Sequence, residues 1–357
     1  MSLDSAPRIV IIRRDNIGDL VCTTPLIAAL RRRFAEAWIG ALVNSYNAPV
    51  LDGNPNLDGV FIYTKAKHRG DDESLPGILW RRLMMMHNLR RMQLDDVILA
   101  NPSAQPRIVQ LAQWLKPKRI IGFGDVKGLD VALPLDSADR HEVEDVFRVA
   151  SIYGIDGPPP ACEVFARGAV PSAPTLTVGI HISARKPSQR WPAVRFAETM
   201  RAIAAQGPVR FMLLWSPGAE DNPLHPGDDA KAREVMAQVG GGATAIARPT
   251  QTLPELIAAL AECQALICAD GGAMHLAAGL GLPIVCLFGD SGAHRWRPWG
   301  VPCRLLQKPS CDVADISVDQ VVSAFSSLSF SLPLAGPESP SPSRARFPAG
   351  CRRADCP

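Results

Sequence analysis

The strongest constraint on the fold is an alternation of short strand-like runs with helical segments, which passes through the chain twice. Residues 8–13 (RIVIIR), for example, are rich in β-branched side chains and are followed by a turn and then by apolar residues at helical spacing. Strands that alternate with helices form parallel sheets covered by helices on both faces. The sequence therefore predicts an α/β protein with doubly wound, Rossmann-like sheets.

A proline-rich stretch divides the chain. Residues 157–174 (GPPPACEVFARGAVPSAP) cannot sustain a helix or a central strand, because proline lacks a backbone N–H. The alternation stops before this stretch and restarts after it, and 357 residues suffice for two domains. We place one Rossmann-like domain in residues 1–165 and a second in 166–330, and we predict a disordered tail in 331–357 from its proline and serine content.

Composition and charge exclude several classes of protein. With 47% hydrophobic and 20% charged residues the chain is globular, and a net charge of +3 is too small for a dedicated nucleic-acid-binding protein. No apolar run has the ~18 residues of a spanning helix, and the first residues lack the features of a signal peptide. We therefore expect a cytoplasmic protein. The nine cysteines, with no Cys-x-x-Cys pair, indicate reduced thiols rather than disulfides or a zinc site.

Ligands of doubly wound sheets bind at the carboxyl ends of the strands, and three loops predicted there carry candidate residues. The first loop follows residues 8–13 and contains Gly18 and Asp19, before a helix predicted to begin at residues 23–25. A glycine beside a carboxylate permits close approach by another molecule. The alternative is that Asp19 only caps the helix, as aspartate commonly does.

The second loop lies in residues 179–192 (GIHISARKPSQRWP) and carries Ser183, Arg185, Lys186 and Arg190. Cations together with free backbone N–H groups form an anion site, so this loop predicts phosphate binding. The alternative is a solvated basic loop, although the neighbouring tryptophan indicates that the loop is partly packed.

The third loop, in residues 269–283 (ADGGAMHLAAGLGLP), is the strongest local signal. Asp270 ends a predicted buried strand, and Gly271 and Gly272 begin a helix that continues with Ala273 and His275. Two glycines let the backbone approach a diphosphate, and the helix N-terminus adds partial positive charge. The alternatives are a tight turn without a ligand and, for His275, an ordinary core histidine.

The sequence contains no P-loop, no dinucleotide fingerprint and no Asp-x-Asp triplet. We therefore expect neither a cofactor nor a metal, and positive charge at a phosphate site would come from Arg, Lys and a helix dipole. Cations also concentrate in the first half of the chain. A solvated face is the ordinary explanation for them, and a landing surface for an anionic acceptor or membrane is the alternative. They are Lys65, Lys67, His68, Arg69, Arg81, Arg82, Arg90 and Arg91.

Together these loops resemble glycosyltransferase family 9, the ADP-heptose:lipopolysaccharide heptosyltransferases. The matching stretches are residues 8–34, 95–123, 179–198 and 269–300, and the likeness spans residues 8–325. The resemblance implies a GT-B fold, in which the second domain holds a sugar nucleotide and the first holds the acceptor. It also implies inverting transfer of a heptose from ADP-heptose to the lipopolysaccharide inner core. Expected partners are a nucleotide-sugar donor, an anionic glycolipid and the inner face of the cytoplasmic membrane, with no nucleic acid.

The resemblance also implies roles for individual residues. Asp19 matches the catalytic base, and residues 270–275 match the segment that holds the donor, with Ser183 near the phosphates. Two positions depart from the family pattern: Gly271 stands where a threonine is common, and Gln189 where a lysine is common. A transferase for another nucleotide sugar or glycan, and a non-catalytic nucleotide-sugar binder, stay open as alternatives. The expected cations of the donor site are Arg185, Lys186 and Arg190, and the expected acceptor-binding residues are Gly18, Lys65, Lys67 and Arg69.

Overall fold

The computed structural model of the protein describes residues 6–63, 75–103, 105–135, 139–168, 175–220, 227–240 and 244–328. The strands of the first half are β1 (Arg8–Ile12), β2 (Trp38–Asn44), β3 (Gly59–Tyr63), β4 (Asp96–Leu99), β5 (Arg119–Phe123) and β6 (Val131–Leu133). Those of the second half are β7 (Leu176–His181), β8 (Val209–Trp215), β9 (Thr244–Pro249), β10 (Ala265–Ala269), β11 (Ile284–Phe288) and β12 (Cys303–Gln307).

The two halves have the same sheet topology. The first six-stranded sheet has the order β3-β2-β1-β4-β5-β6 and the second β9-β8-β7-β10-β11-β12, with parallel pairing throughout. Counted within each half, both orders are 3-2-1-4-5-6, the order of a Rossmann sheet. The predicted α/β, doubly wound fold is confirmed. The sequence analysis missed β6 and β12, one of the two edge strands in each sheet. β6 has three residues, and neither strand is buried along its length as the central strands are.

The helices lie between the strands as the alternation predicts. Those of the first half are α1 (Ile17–Val21), α2 (Thr24–Arg33), α3 (Leu75–Arg91), α4 (Pro106–Leu115) and α5 (Glu142–Phe147). Those of the second half are α6 (Ala193–Ala204), α7 (Asp229–Val239), α8 (Leu253–Ala261), α9 (Gly272–Gly279), α10 (Ala293–Trp296) and α11 (Val318–Ser326). Short 3₁₀ helices occupy Ala48–Leu51, Arg148–Tyr153, Pro187–Gln189 and Val313–Asp315. Within the described ranges, no helix is long and apolar enough to cross a membrane.

Strand side chains alternate between two hydrophobic layers, because successive residues of a strand point to opposite faces. In β1, Val10 and Ile12 pack beneath α3 and α4, whereas Ile9 and Ile11 face a layer that both halves share. The shared layer also contains Cys268 of β10 and residues of α2, α8 and α9. A separate layer under α6, α7 and α11 covers the outer face of the second sheet. The two sheets are therefore joined by a common apolar layer, beside which their carboxyl edges meet.

The described part of the predicted boundary segment, residues 157–168, contains neither helix nor strand and contacts the second half. Val164 donates a backbone hydrogen bond to the carbonyl of Gly279 at 2.8 Å, and Trp299 donates to the carbonyl of Pro160 at 2.9 Å. The boundary at residues 165 and 166 stays a prediction, because residues 169–174 lie outside the described ranges. The predicted tail, 331–357, lies outside them as well.

Candidate functional site

A cavity of about 890 Å³ opens between the carboxyl edges of the two sheets. It lies where the strand order reverses in each half, which is where ligands of doubly wound folds bind. All three loops singled out in the sequence contribute to it. The residues predicted for the site that line the cavity are Gly18, Asp19, Ser183, Arg185, Lys186, Asp270, Gly271, Gly272, Ala273 and His275.

Asp19 is held rigidly at the wall formed by the first half. Its Oδ2 accepts hydrogen bonds from the backbone N–H and the side-chain amide of Asn16 at 2.8 and 2.9 Å, and its Oδ1 accepts one from Arg13 at 2.7 Å. Only 8% of its surface is exposed. Asp19 thus caps α1, a short helix that the sequence analysis had taken for a loop, and it also faces the cavity.

Arg13 connects Asp19 to the second half of the molecule. Its buried guanidinium contacts Asp19 and Glu142 at 2.7 Å and Asp15 at 3.0 Å. Burial alone would lower the pKa of Arg13, but the three carboxylates outweigh burial, so its pKa lies above the usual value. The second oxygen of Glu142 accepts a hydrogen bond from Arg295 of α10. A chain of alternating charges therefore runs from Asp19 through Arg13 and Glu142 to the opposite half.

Two glycines allow α1 and α9 to approach each other closely across the cavity floor. A Cβ atom on Gly18 would lie 2.5 Å from Cδ2 of His275, which no side chain tolerates without movement. A Cβ atom on Gly272 would lie 3.3 Å from the Cδ1 atom of Ile17. Gly18 therefore serves the packing of the two halves as well as lining the cavity.

His275 is a buried residue at the interface, as the core-histidine alternative predicts, and it also borders the cavity. Its Nδ1 lies 3.9 Å from the Sγ of Cys22, and its ring meets Trp296 edge to face. Burial acts to lower the pKa of His275, but Cys22, Asp270 and Asp19 together raise it above the usual value. The imidazole thus lies near a carboxylate of each half, Asp19 and Asp270.

The third loop forms an open, glycine-lined wall. No atom lies within 4 Å of the position that a Cβ on Gly271 would take, so the backbone there faces empty space. Gln189 reaches Asp270 from the second loop: its Nε2 donates to Asp270 Oδ2 at 3.0 Å and to Ser291 Oγ at 2.8 Å. The N-terminus of α9 thus leaves room for a ligand, and its neighbouring carboxylate is oriented by an amide.

The basic side chains of the second loop have different environments. Arg185 is exposed and lines the cavity, and Lys186 lines it while pairing with Asp290 at 3.0 Å. Arg190 instead donates to the carbonyl groups of Ala184 and Arg185, at 3.2 and 3.4 Å, and braces the loop. Arg190 does not belong to the cavity lining, so its donor-binding role stays a prediction.

Ser183 leads into a buried polar corner that the sequence analysis missed. Its hydroxyl accepts a hydrogen bond from the backbone N–H of Ser216 at 2.9 Å and bonds to Asp228, whose pKa is raised by burial. His181 lies beside them at the end of β7. Burial, assisted by the charge of Lys231, lowers the pKa of this histidine to about 4, so it is neutral at pH 7. No local motif identifies these residues, because they meet only when neighbouring strands pair.

Three acceptor-binding predictions cannot be placed. Lys65, Lys67 and Arg69 lie outside the described residues, so only Gly18 of that set is located.

Tyr46 of the first half, which the sequence analysis did not consider, lines the cavity opposite Arg185. In the described part of the chain, no three His, Cys, Asp or Glu side chains are grouped as a metal site requires.

Comparisons with known proteins agree with this arrangement. The family model of glycosyltransferase family 9 (heptosyltransferase) matches residues 82–311. Lipopolysaccharide heptosyltransferase 3 of Escherichia coli is 24% identical over 305 residues, covering 79% of this chain and 83% of the relative. Lipopolysaccharide heptosyltransferase 2 of Salmonella typhimurium is 26% identical over 323 residues, covering 84% and 88%.

Solved structures share the same fold. A family 9 glycosyltransferase from Veillonella parvula superposes with a TM-score of 0.74 at 21% identity, covering 91% of this chain and 97% of that one. The Escherichia coli heptosyltransferase WaaC with ADP gives a TM-score of 0.74 at 16% identity, covering 89% and 99%.

Proposed function

Because this chain belongs to glycosyltransferase family 9, the heptosyltransferases, and is a glycosyltransferase with the GT-B fold, we propose that it transfers a heptose from ADP-heptose to the lipopolysaccharide inner core. One observation carries the proposal. A fixed carboxylate of the first half, Asp19, and the open glycine-lined start of α9 in the second half face the same cavity. A base and an anion site on opposite walls are what a glycosyl transfer with a diphosphate leaving group requires.

The donor's diphosphate would lie against the N-terminus of α9. Backbone N–H groups of residues 271–273 point there, and helix N-termini favour anions. Arg185 and Lys186 stand at the same cavity with partly exposed charges. Asp270, whose one oxygen is bonded to Gln189, keeps its other oxygen to accept a sugar hydroxyl. These groups support a nucleotide-sugar donor.

Asp19 would act as the catalytic base. An acceptor hydroxyl attacks the anomeric carbon, an oxygen–carbon bond forms, and the bond from that carbon to the diphosphate oxygen breaks with its electron pair leaving on the diphosphate. The hydroxyl proton passes to Asp19, and the anomeric configuration inverts. A positioned base contributes roughly 10²–10⁴-fold to such a step. Three hydrogen bonds hold this carboxylate in place before substrate arrives, which supports the assignment.

The leaving diphosphate gains negative charge as its bond to the sugar breaks. Donors and cations that are in place beforehand stabilise such developing charge without a reorganisation cost. The α9 N-terminus, Arg185 and Lys186 would supply this stabilisation. His275, whose pKa is raised against the effect of burial, lies in the first turn of α9 and borders the same cavity.

The acceptor would be an anionic glycolipid, reached from the cytoplasmic face of the inner membrane. The concentration of Lys and Arg within residues 65–91 supports this choice, and both relatives described above are lipopolysaccharide heptosyltransferases. Gly271 and Gln189 depart from the common family residues at the donor wall, and this observation favours one second candidate, a transferase of the same family that uses a different nucleotide sugar.

The decisive measurement is binding of ADP, UDP, GDP and ADP-heptose by thermal shift and calorimetry, followed by transfer assays. A ligand that binds only the native state raises its stability. We expect selective stabilisation by ADP and ADP-heptose, and turnover with a lipopolysaccharide inner-core acceptor. Preference for UDP or GDP would favour the second candidate, and binding without turnover across acceptors would indicate a non-catalytic binder.

A pair of variants locates the donor site. Gly271 and Gly207 both have empty space where a Cβ would lie, and both belong to the second half. Gly271→Val would place an apolar side chain against the proposed diphosphate site and weaken stabilisation by ADP, whereas Gly207→Val would leave it unchanged. Equal ADP binding by both variants would refute the proposed position of the donor.

A further inference from the structure

We infer that helices α3 and α4 form a docking surface for an anionic membrane. The outer side of these helices carries large side chains that contact no described core. We call this surface the α3–α4 face; it comprises Leu79, Trp80, Leu83, Met84, Arg91 and Trp114.

The apolar side chains of α3 form a continuous stripe. Trp80, Leu83 and Met84 stand at helical spacings of three and four residues, so they share one side of the helix. Trp80 is 64% exposed and Leu83 56%. The opposite side is also apolar and is packed: Ile78 and Leu89 are buried, and Leu89 belongs to the hydrophobic layer that covers the first sheet. The helix therefore has a second apolar side that core formation does not use, and soluble monomers rarely expose such contiguous surface.

The positive charge of helices α3 and α4 indicates that the α3–α4 face binds an anionic partner. Helices α3 and α4 contain no Asp or Glu, whereas they contain five arginines. The Arg90 guanidinium lies 5.5 Å from the ring centre of Trp114, so a cation sits beside an exposed aromatic ring. Helices with tryptophan and leucine on one side and arginine at its borders lie in the interface of anionic bilayers, where each cation contributes about 1 kcal/mol.

A second copy of this chain is a poorer match to the same surface. A twofold contact centred on α3 would place the helix against itself and bring its four arginines opposite the same four of the partner. Like charges facing each other across an interface oppose association. Anionic headgroups instead attract the positive charge of the helix.

Helix α3 is linked through Tyr63 to the segment that precedes Asp19. The ring of Tyr63 is contacted by Arg82 of α3 at 4.3 Å and by Arg14 at 3.8 Å. Arg14 directly follows Arg13, whose guanidinium holds Asp19. Docking through α3 would thus bring the wall with Asp19 towards the bilayer surface. Its benefit for catalysis rests on the proposed function, whereas docking itself does not.

The test uses the full chain and flotation with phosphatidylcholine vesicles that contain or lack phosphatidylglycerol. We expect flotation only with anionic vesicles and weaker flotation in high salt. The double variant Trp80→Glu/Leu83→Glu should reduce partitioning at least about tenfold, because it removes two inserting side chains and adds negative charge. The matched control Val194→Glu/Ile246→Glu changes two exposed apolar residues of the second half and should float like the unaltered protein.

Further readouts separate docking from folding and from catalysis. The Trp80→Glu/Leu83→Glu variant should retain thermal stabilisation by ADP and turnover of a soluble, deacylated acceptor. Equal flotation of this variant and the unaltered protein would overturn the inference. Failure of the unaltered protein to float with anionic vesicles would overturn it as well. It would also be overturned if light scattering showed a dimer that this variant dissociates. Failure of heptose transfer with intact Trp80-dependent flotation would refute the proposed function alone.

Discussion

The two halves have the same strand order but opposite designs at the carboxyl edge of the sheet. In the first half, Asp19 is fixed by Arg13 and Asn16, and Arg13 is itself buried among carboxylates. In the second half, Gly271 faces empty space and Lys186 stands at a partly exposed loop. One edge is closed by its own ion pairs, and the other is open where the backbone of Gly271 borders the cavity.

This difference shows how one scaffold can serve two tasks. A base must hold its position relative to a reacting hydroxyl, and buried hydrogen bonds supply that order before substrate binds. A charged donor must enter and its diphosphate must leave, which favours exposed cations and an accessible helix N-terminus. The two halves therefore share one topology, and the difference in burial suits the first half to hold the base and the second half to bind the donor.

The largest expected effect on the difference between the halves comes from neutralising the fixed carboxylate of Asp19. Asp19→Asn keeps the shape but removes the proton acceptor, so we expect turnover to fall roughly 10²–10⁴-fold. Because the donor wall lies on the other half, calorimetric ADP affinity should stay unchanged. Wild-type turnover by this variant would show that another group takes the proton.

Arg13→Met and Lys186→Met compare a buried cation with an exposed one. Arg13→Met leaves buried carboxylates without their shared partner and should lower the free energy of unfolding by about 3–5 kcal/mol. Lys186 pairs with Asp290 at the surface, with 42% and 51% of the two side chains exposed, so its replacement should cost less than about 1 kcal/mol. Urea unfolding measures both values, and similar losses would contradict the proposed difference between the halves.

A third prediction concerns pH, because each half contains a histidine whose pKa is lowered to about 4, mainly by burial: His141 and His181. Each takes up a proton more readily when unfolded, so the stability it provides is present above its unfolded pKa and is lost as the pH falls from there towards 4. The expected loss is up to about 1.4 kcal/mol per pH unit for each histidine. Urea unfolding between pH 7 and pH 5 measures the slope.

Single variants show which histidine causes the dependence of the free energy of unfolding on pH. His141→Gln should make it shallower, and His294→Gln, which replaces an exposed histidine that pairs with Asp139 at the surface, is the matched control. An unchanged slope in His141→Gln would show that His141 does not titrate on unfolding.

The smallest expected effect is on the ADP affinity of variants at Gly271, in the open wall of the cavity. Thr and Val have the same shape, and Gly271 accepts a Cβ without a clash. Gly271→Thr offers a hydroxyl to a phosphate oxygen, whereas Gly271→Val offers none, so the threonine variant should bind ADP about tenfold more tightly than the valine variant. Calorimetry decides, and equal affinities would show that the side chain at 271 does not reach the phosphates.

Much of the site could be predicted from sequence because it sits at strand ends. Asp270 and Ser183 each follow a short, mainly apolar run that predicts a strand, and parallel pairing brings such positions to one edge. The capping alternative for Asp19 and the ligand-site alternative could not be separated, since its carboxylate caps α1 and lines the cavity at once. Glu142 and Arg295 were missed, because a contact across 153 residues leaves no local pattern.

The sequence by itself determined the alternation of strands and helices, the division into two halves and the glycine-rich entrance of α9, because each depends on local spacing and on backbone properties of short segments. Only the tertiary structure decided which charges are buried together. Arg13 and Arg185 are equally basic in sequence, yet one is enclosed among carboxylates and the other faces the cavity. Burial depends on which distant elements pack around a side chain, and that packing governs whether its charge holds a base or meets a substrate.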